Sequence, residues 1–209
     1  MTAIYHITHL DNLPGIATHG ALLADSAIQR QALSPRSIAY GHIKARRGRT
    51  AVPLPPGGCV SDYVPFHFCP RSPMLYAIHG GQVEGYPGGQ AQVLHLVADA
   101  EAIEAGGHAC LHTDGNAASQ PLQFHAGTAA LASALAWDVI RSTSWANTLE
   151  DNDRKRRKQA EFLVWQRVPW HAIVAIGVID EAIAQRTRDA IAGAAHRPIV
   201  TVHRDWYYP

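Results

Sequence analysis

Five consecutive basic residues in the run Arg154 to Val168, RKRRKQAEFLVWQRV, lead through Gln159 and Ala160 to a single carboxylate and then an apolar segment. Glu161 is the only acidic residue between Asp153 and Asp180, and it opens Phe162-Leu163-Val164-Trp165. The β-branched and aromatic content of that segment reads as a buried strand. A carboxylate at the mouth of a buried strand loses solvation and must find a cation, a hydrogen-bond donor or a ligand. Two readings follow: a salt bridge to an arginine, or a catalytic carboxylate beside a loop that grips a polyanion.

The position of the other charges bears on that choice. The net charge is only +1, yet nine of the 18 basic residues fall in two runs, Lys44-Arg46-Arg47-Arg49 and Arg154 to Lys158. No acid occurs between Asp25 and Asp62. Such clustering in a near-neutral chain suits phosphate contacts, because each one releases counterions; the plainer alternative is two solvated loops. The 209 residues, 47% of them hydrophobic, suffice for one domain with a substantial core. No apolar run approaches a membrane span and the N-terminus lacks a signal-peptide pattern, so a cytoplasmic location is expected. Cys59, Cys69 and Cys110 show neither disulfide nor zinc-ligand spacing, and no metal site is expected.

In chain order, AIYHITH (residues 3–9) reads as a strand with Ile4, His6 and Thr8 on one face and Tyr5, Ile7 and His9 on the other. Asp11 or Asn12 can cap a helix that Gly20 stops. A strand ending in His and Thr before a helix N-terminus suits a ribose or phosphate. Residues 30–58, rich in proline and glycine, read as loop. In CVSDYVPFHFCPRSPMLY (59–76), Pro65 demotes the strand over Val60 to Phe68 to an edge or a bulge. Pro70 to Pro73 then force a turn into a helix. Tyr63, Phe66, Phe68 and Tyr76 with Arg71 are expected to line that bend as an aromatic pocket for a flat cationic ring and a nearby phosphate; a proline-rich core corner is the alternative. Further strands are expected over Gln90 to Asp99, Pro121 to His125, Ala172 to Ile179 and Ile199 to Val202, and helices over Ala100 to Ala105, Ala129 to Ile140 and Glu181 to Ala195. Strands and helices do not alternate regularly, which favours α+β over a doubly wound sheet.

Three of these segments, YHITHLDNLPGI (5–16), SDYVPFHFCPRSPMLYAI (61–78) and KRRKQAEFLVW (155–165), together resemble the DarT toxins. That family comprises NAD-dependent ADP-ribosyltransferases that modify thymidine in single-stranded DNA and are restrained by a macrodomain antitoxin, DarG. The resemblance implies an ADP-ribosyltransferase fold: two small sheets around a cleft for NAD, flanking helices and no metal. It places Glu161 at the catalytic Glu and one arginine of the IKARR segment, Arg47 before Arg46, at the catalytic Arg. It puts His6, Thr8, His9 and Asn12 at the NAD-binding start of the pattern; Arg46, and Arg71 and Tyr76 of the bend, are expected to join them on NAD. Lys44, Arg49, Arg154, Lys155, Arg156, Arg157 and Lys158 are expected on the DNA.

The chemistry of the residues agrees with those roles. Breaking the nicotinamide–ribose bond builds positive charge on the ribose, which a carboxylate stabilises most as the charge develops. A guanidinium such as Arg47 can stabilise the anion of a thymine ring nitrogen. Two other readings remain: an RNA-directed ADP-ribosyl- or phosphotransferase of the same fold, which needs a 2′ substituent that DNA lacks, and a non-catalytic nucleic-acid-binding module in which Glu161 is only a salt bridge.

Overall fold

A computed structural model of the chain describes residues 1–119 and 121–209. In order the elements are β1 (Ala3–His9), α1 (Leu13–His19), β2 (Ala21–Leu23), α2 (Asp25–Arg30), α3 (Gly41–Arg47), β3 (Tyr63–His67), α4 (Pro73–His79), β4 (Val93–Asp99), α5 (Ala100–Ala105) and β5 (Cys110–Thr113). They continue with β6 (Phe124–Ala126), α6 (Leu131–Ala134), α7 (Trp137–Arg141), α8 (Arg154–Arg157), β7 (Glu161–Trp165), β8 (Arg167–Pro169), β9 (Ala175–Val178), α9 (Glu181–Ala190) and β10 (Ile199–Val202).

The fold is α+β as expected, with sheets drawn differently. Among the described residues, eight strands join in the order β10-β9-β4-β1-β3-β7-β5-β6, and β2 pairs with β8 in a separate ribbon. Within the large sheet, β1 is zipped to β4 along seven residue pairs but meets β3 at one pair, Tyr5 with His67. That thin seam divides the sheet into two four-stranded halves. That seam explains how β3, an interior strand and not the edge expected, tolerates Pro65. The Pro65 carbonyl accepts from the His6 ring at 2.8 Å, so it faces β1. The nitrogen of the same residue points to the same side of a strand, so the missing N–H is lost from the open seam and not from the β3–β7 ladder.

Side-chain alternation then sorts the faces. Ile4, Val64, Phe66, Leu94, Leu96, Phe162 and Val164 form the main core, closed by Leu13 of α1, Ile103 of α5, Leu131 of α6, Ile140 of α7 and Ile183 of α9. The opposite face carries two smaller cores, one around Leu75, Ile78, Val93 and Tyr207, the other around Val60, Tyr63, Leu111 and Leu163. Glu161 and His67, directly paired across β7 and β3, lie on this second face.

Local chemistry also explains where expected boundaries moved. The helix expected over 129–140 breaks at the extended Leu135, because the Trp137 indole donates to the Leu131 carbonyl at 2.9 Å, the acceptor a continuing helix would use. Gly20 ends α1 at φ 71°, a left-handed conformation that glycine adopts without strain. The stretch 30–58 is not wholly loop, since it contains α3. No helix of the described residues is long and apolar enough to cross a membrane.

Candidate active site

The site is built from the start of β7 outward. Glu161 is 2% exposed, and its position is fixed by pairing to β3 on one side and β5 on the other. Its backbone N–H donates to the Thr113 hydroxyl at 3.3 Å, and that hydroxyl donates to the Gly115 carbonyl at 2.7 Å. The turn that follows β5 is held by the Asn116 side chain, which accepts from the Ala118 N–H at 2.9 Å and donates to Gln159 at 3.4 Å. Its product is a donor aimed inward: the Ala117 N–H reaches one Glu161 carboxylate oxygen at 3.1 Å.

The other carboxylate oxygen accepts from Arg47 Nη1 at 2.8 Å. Arg47 is the last residue of α3 and is 8% exposed, although helix ends in this composition would ordinarily leave an arginine in solvent. Its Nη2 is sealed from water and has no partner among the described residues. A buried, unpartnered guanidinium nitrogen costs stability unless a ligand oxygen uses it. Among the described residues, two of the roughly four lone-pair sites of the Glu161 carboxylate are taken, so it too can accept from a ligand hydroxyl.

His67 completes this cluster. Its Nδ1 is buried without a partner, directly cross-strand from Glu161. Burial holds its pKa below the ordinary histidine value; the Glu161 charge opposes this and those of Arg47 and Lys158 reinforce it. The ring is therefore neutral at pH 7, able to donate from one nitrogen and accept at the other.

The residues expected at the start of the pattern form a second group along β1. His6 spans the seam to Pro65, and burial lowers its pKa to about 4. Thr8 accepts from the Asn12 amide at 3.1 Å. Asn12 also grips the chain ahead of α3, accepting from the Arg36 N–H at 2.7 Å and donating to the Arg36 carbonyl at 2.9 Å. Buried His9 lies against Tyr86 and accepts from the Asp11 N–H at 3.1 Å. Asn12 thereby ties the 31–40 segment, which leads into α3 and Arg47, to Thr8 at the end of β1.

Several expected site residues sit elsewhere. Arg46 is exposed and donates to the Ala118 carbonyl at 3.4 Å. Lys44 pairs with Asp25 at 3.0 Å, and Arg49 is exposed just beyond α3. The aromatic pocket expected at 63–76 does not form, because strand alternation sends Tyr63 into one small core and Phe66 into the main core, where Phe68 follows it. Arg71 lies 5.7 Å above the Tyr208 ring, and Tyr76 is on the surface against Trp145 and Tyr208; among the described contacts neither meets Arg47, Glu161 or Asn12.

The basic run also needs correcting. Arg156 pairs with Asp153 and Asp114, both at 2.7 Å, Arg157 with Asp151 and Asp153, and Arg154 with Asp151 at 3.9 Å. Gly115 packs tightly beside this network, since a Cβ there would stand 3.0 Å from the Arg156 side chain, which would have to shift slightly. Lys158 is buried, its ammonium donating to the carbonyls of Ile140 at 2.6 Å and Ser142 at 2.8 Å. Lys155 alone in this run is exposed. Most of the run is thus a brace that orders the approach to Glu161, a role suggested in the sequence by Asp151 and Asp153 three and four residues ahead of the arginines. The Ala117 N–H, being backbone, had no side-chain signal at all.

Comparison with known proteins places the whole chain in one family. The family model for DarT, ssDNA thymidine ADP-ribosyltransferase, matches residues 5–208. The structure of Thermus sp. 2.9 DarT in complex with ADP-ribosylated ssDNA is 44% identical, covers 99% of this chain and 96% of that one, and superposes with a TM-score of 0.91. The same protein in complex with NAD+ gives 42% identity, coverage of 99% and 98%, and a TM-score of 0.87. A Thermosipho africanus DNA ADP-ribosyl transferase–DNA ADP-ribosyl glycohydrolase fusion protein is 30% identical over 188 residues, 90% of this chain and 45% of that protein. With nearly its whole length matched by the family model, the chain belongs to the DarT family.

Proposed function

We propose that this chain transfers ADP-ribose from NAD to thymidine in single-stranded DNA. The observation that carries the reading is the sealed Arg47–Glu161 pair with an unpartnered Arg47 Nη2 and His67 Nδ1 beside it. Such a cluster is costly as structure alone and suited to a ligand with hydroxyl and anionic oxygens.

In this reading Glu161, shielded from water, stabilises the positive charge that develops on the ribose as nicotinamide leaves, through a hydrogen bond to a ribose hydroxyl that strengthens with the charge. Ala117 and Arg47 hold the carboxylate aimed. Arg47 Nη2 is the donor for the anion left on the attacking thymine nitrogen as its proton is released to solvent, the nicotinamide departing neutral with the electron pair of the broken ribose bond. His6, Thr8, His9 and Asn12 shape the NAD-binding side along β1, and Arg46, Arg49 and Lys155, exposed on either side of the pair, meet phosphates of the strand. We place the activity in the cytoplasm, where NAD and single-stranded DNA coincide. As its restraining partner we propose a macrodomain antitoxin, in keeping with the fused glycohydrolase named for the Thermosipho africanus relative.

Purified Glu161→Ala protein tests the reading. It should add no ADP-ribose to a thymidine-containing oligonucleotide while binding that oligonucleotide with nearly wild-type affinity. Undiminished transfer by this variant would end the assignment.

A further inference from the structure

The aromatic residues that do not reach the Arg47–Glu161 pair form a surface of their own. Tyr76 of α4 is 45% exposed and meets Trp145 edge-on at 5.6 Å and Tyr208 at 5.0 Å. His79, one turn further along α4, lies 6.0 Å from the same Tyr208 ring. The Tyr208 ring is fixed from several sides: its hydroxyl donates towards the carbonyls of Arg71 and Ser72 at 3.2 and 3.3 Å, and its backbone is clasped by the Gln90 side chain at 3.1 and 2.5 Å. Arg71 stands over it with a buried Nε that has no partner.

Two features say what covers this surface. Its charge is net positive: the segments that carry Arg71, Tyr76 and Trp145, residues 63–83 and 139–149, contain Arg71 and Arg141 and no carboxylate, and the C-terminal segment that carries Tyr208 sets Arg204 beside Asp205. It is also tied through the chain to the candidate active site on both flanks. Arg71 follows His67, the cross-strand partner of Glu161, by four residues. Trp145 sits in the segment that Arg154 and Lys158 tie down, through the Ser144 and Ser142 carbonyls at 2.8 Å each, immediately before β7. Ordered aromatic rings beside unopposed guanidinium groups, contiguous with a site for a nucleic-acid strand, are the arrangement on which unpaired bases stack.

We infer that Arg71, Tyr76, Trp145 and Tyr208 form a stacking platform for nucleotides flanking the modified thymidine. This inference rests on the proposed function and adds where the rest of the strand lies. Stacking needs no hydrogen-bond readout, so the platform lengthens the footprint without specifying its sequence.

The test uses the whole protein, NAD and two single-stranded oligonucleotides of equal length with one thymidine, one carrying all its bases and the other abasic at the flanking positions. The readout is the ratio of kcat/KM for transfer to the two. Wild type should favour the complete strand by about 5- to 150-fold for each base stacked. Trp145→Ala and Tyr76→Ala should each bring the ratio towards one, and Trp145→Phe should keep it. A wild-type ratio near one, variants that keep the wild-type ratio, or a loss that falls equally on both substrates would each overturn the platform. Dimerisation that Tyr76→Ala abolishes, with the ratio unchanged, would assign the surface to a second copy instead. Absence of transfer by wild type to either strand would strike the proposed function itself.

Discussion

Replacing Arg47 by Met isolates the cost of the buried pair. The substitution keeps the length and apolar stem of the side chain but removes the one cation bonded to Glu161 among the described residues, leaving a carboxylate that is 2% exposed with, among those residues, the Ala117 N–H bonded to it. Removing one member of a buried pair costs about 3–5 kcal/mol, because the other charge stays desolvated and uncompensated. For a chain of this size that corresponds to a fall in Tm of roughly 6–20 °C. The double variant Arg47→Met, Glu161→Gln removes both charges and should recover at least ~2 kcal/mol relative to Arg47→Met, while restoring no transfer. Urea unfolding of the wild type, both single variants and the double variant gives the coupling directly. An Arg47→Met protein within about 1 kcal/mol of wild type would refute the premise that the pair is desolvated.

Asn12→Ala should loosen the 31–40 segment by removing both bonds to Arg36, raising KM for NAD several-fold with little change in DNA affinity; an unchanged KM would detach this clamp from the site. Lys155→Gln should reduce the salt dependence of single-stranded DNA binding by about 0.7 in slope, whereas Arg156→Gln, its charge already met by Asp114 and Asp153, should leave the slope unchanged and cost roughly 1–3 kcal/mol of stability. Equal slope changes in the two would contradict the brace. His95 is fully buried and its pKa is lowered by burial to about 4, so the fold holds it neutral while the unfolded chain binds its proton below about 6.5. Its stabilising contribution is complete above pH 6.5 and is lost as pH falls from 6.5 to 4, by about 3 kcal/mol. Tm measured across that range should fall less steeply in His95→Gln than in wild type, and parallel profiles would count against it.

Legibility in the sequence followed the physical reach of each signal. Glu161 stood out because an isolated acid ahead of Phe-Leu-Val-Trp has few structural uses. Arg47 was separated from Arg46 by the resemblance alone; the helix that buries one and exposes the other lay inside a stretch read as loop, where the nearby prolines and glycines masked the short α3. Pro65 misled because its effect depends on the neighbouring strand, and the opening between β1 and β3 is a tertiary fact. β5 escaped notice because Cys-Leu-His-Thr is buried on both faces and shows no alternation. The basic run was read by its own charge, while its neutralisation by Asp114 comes from a hairpin more than 40 residues away in the chain.

Mass spectrometry of one thymidine-containing oligonucleotide after incubation with NAD tests the central claim most directly. An enzyme acting on a base nitrogen that normally pairs must meet it unpaired or spend a few kcal/mol to open the duplex. Opening at a cost on the order of 3 kcal/mol slows modification by ~100-fold or more. The single strand should therefore gain one ADP-ribose unit while the same strand annealed to its complement stays nearly unmodified. Equal gain in the two forms, or gain on the RNA equivalent in place of DNA, would contradict the account.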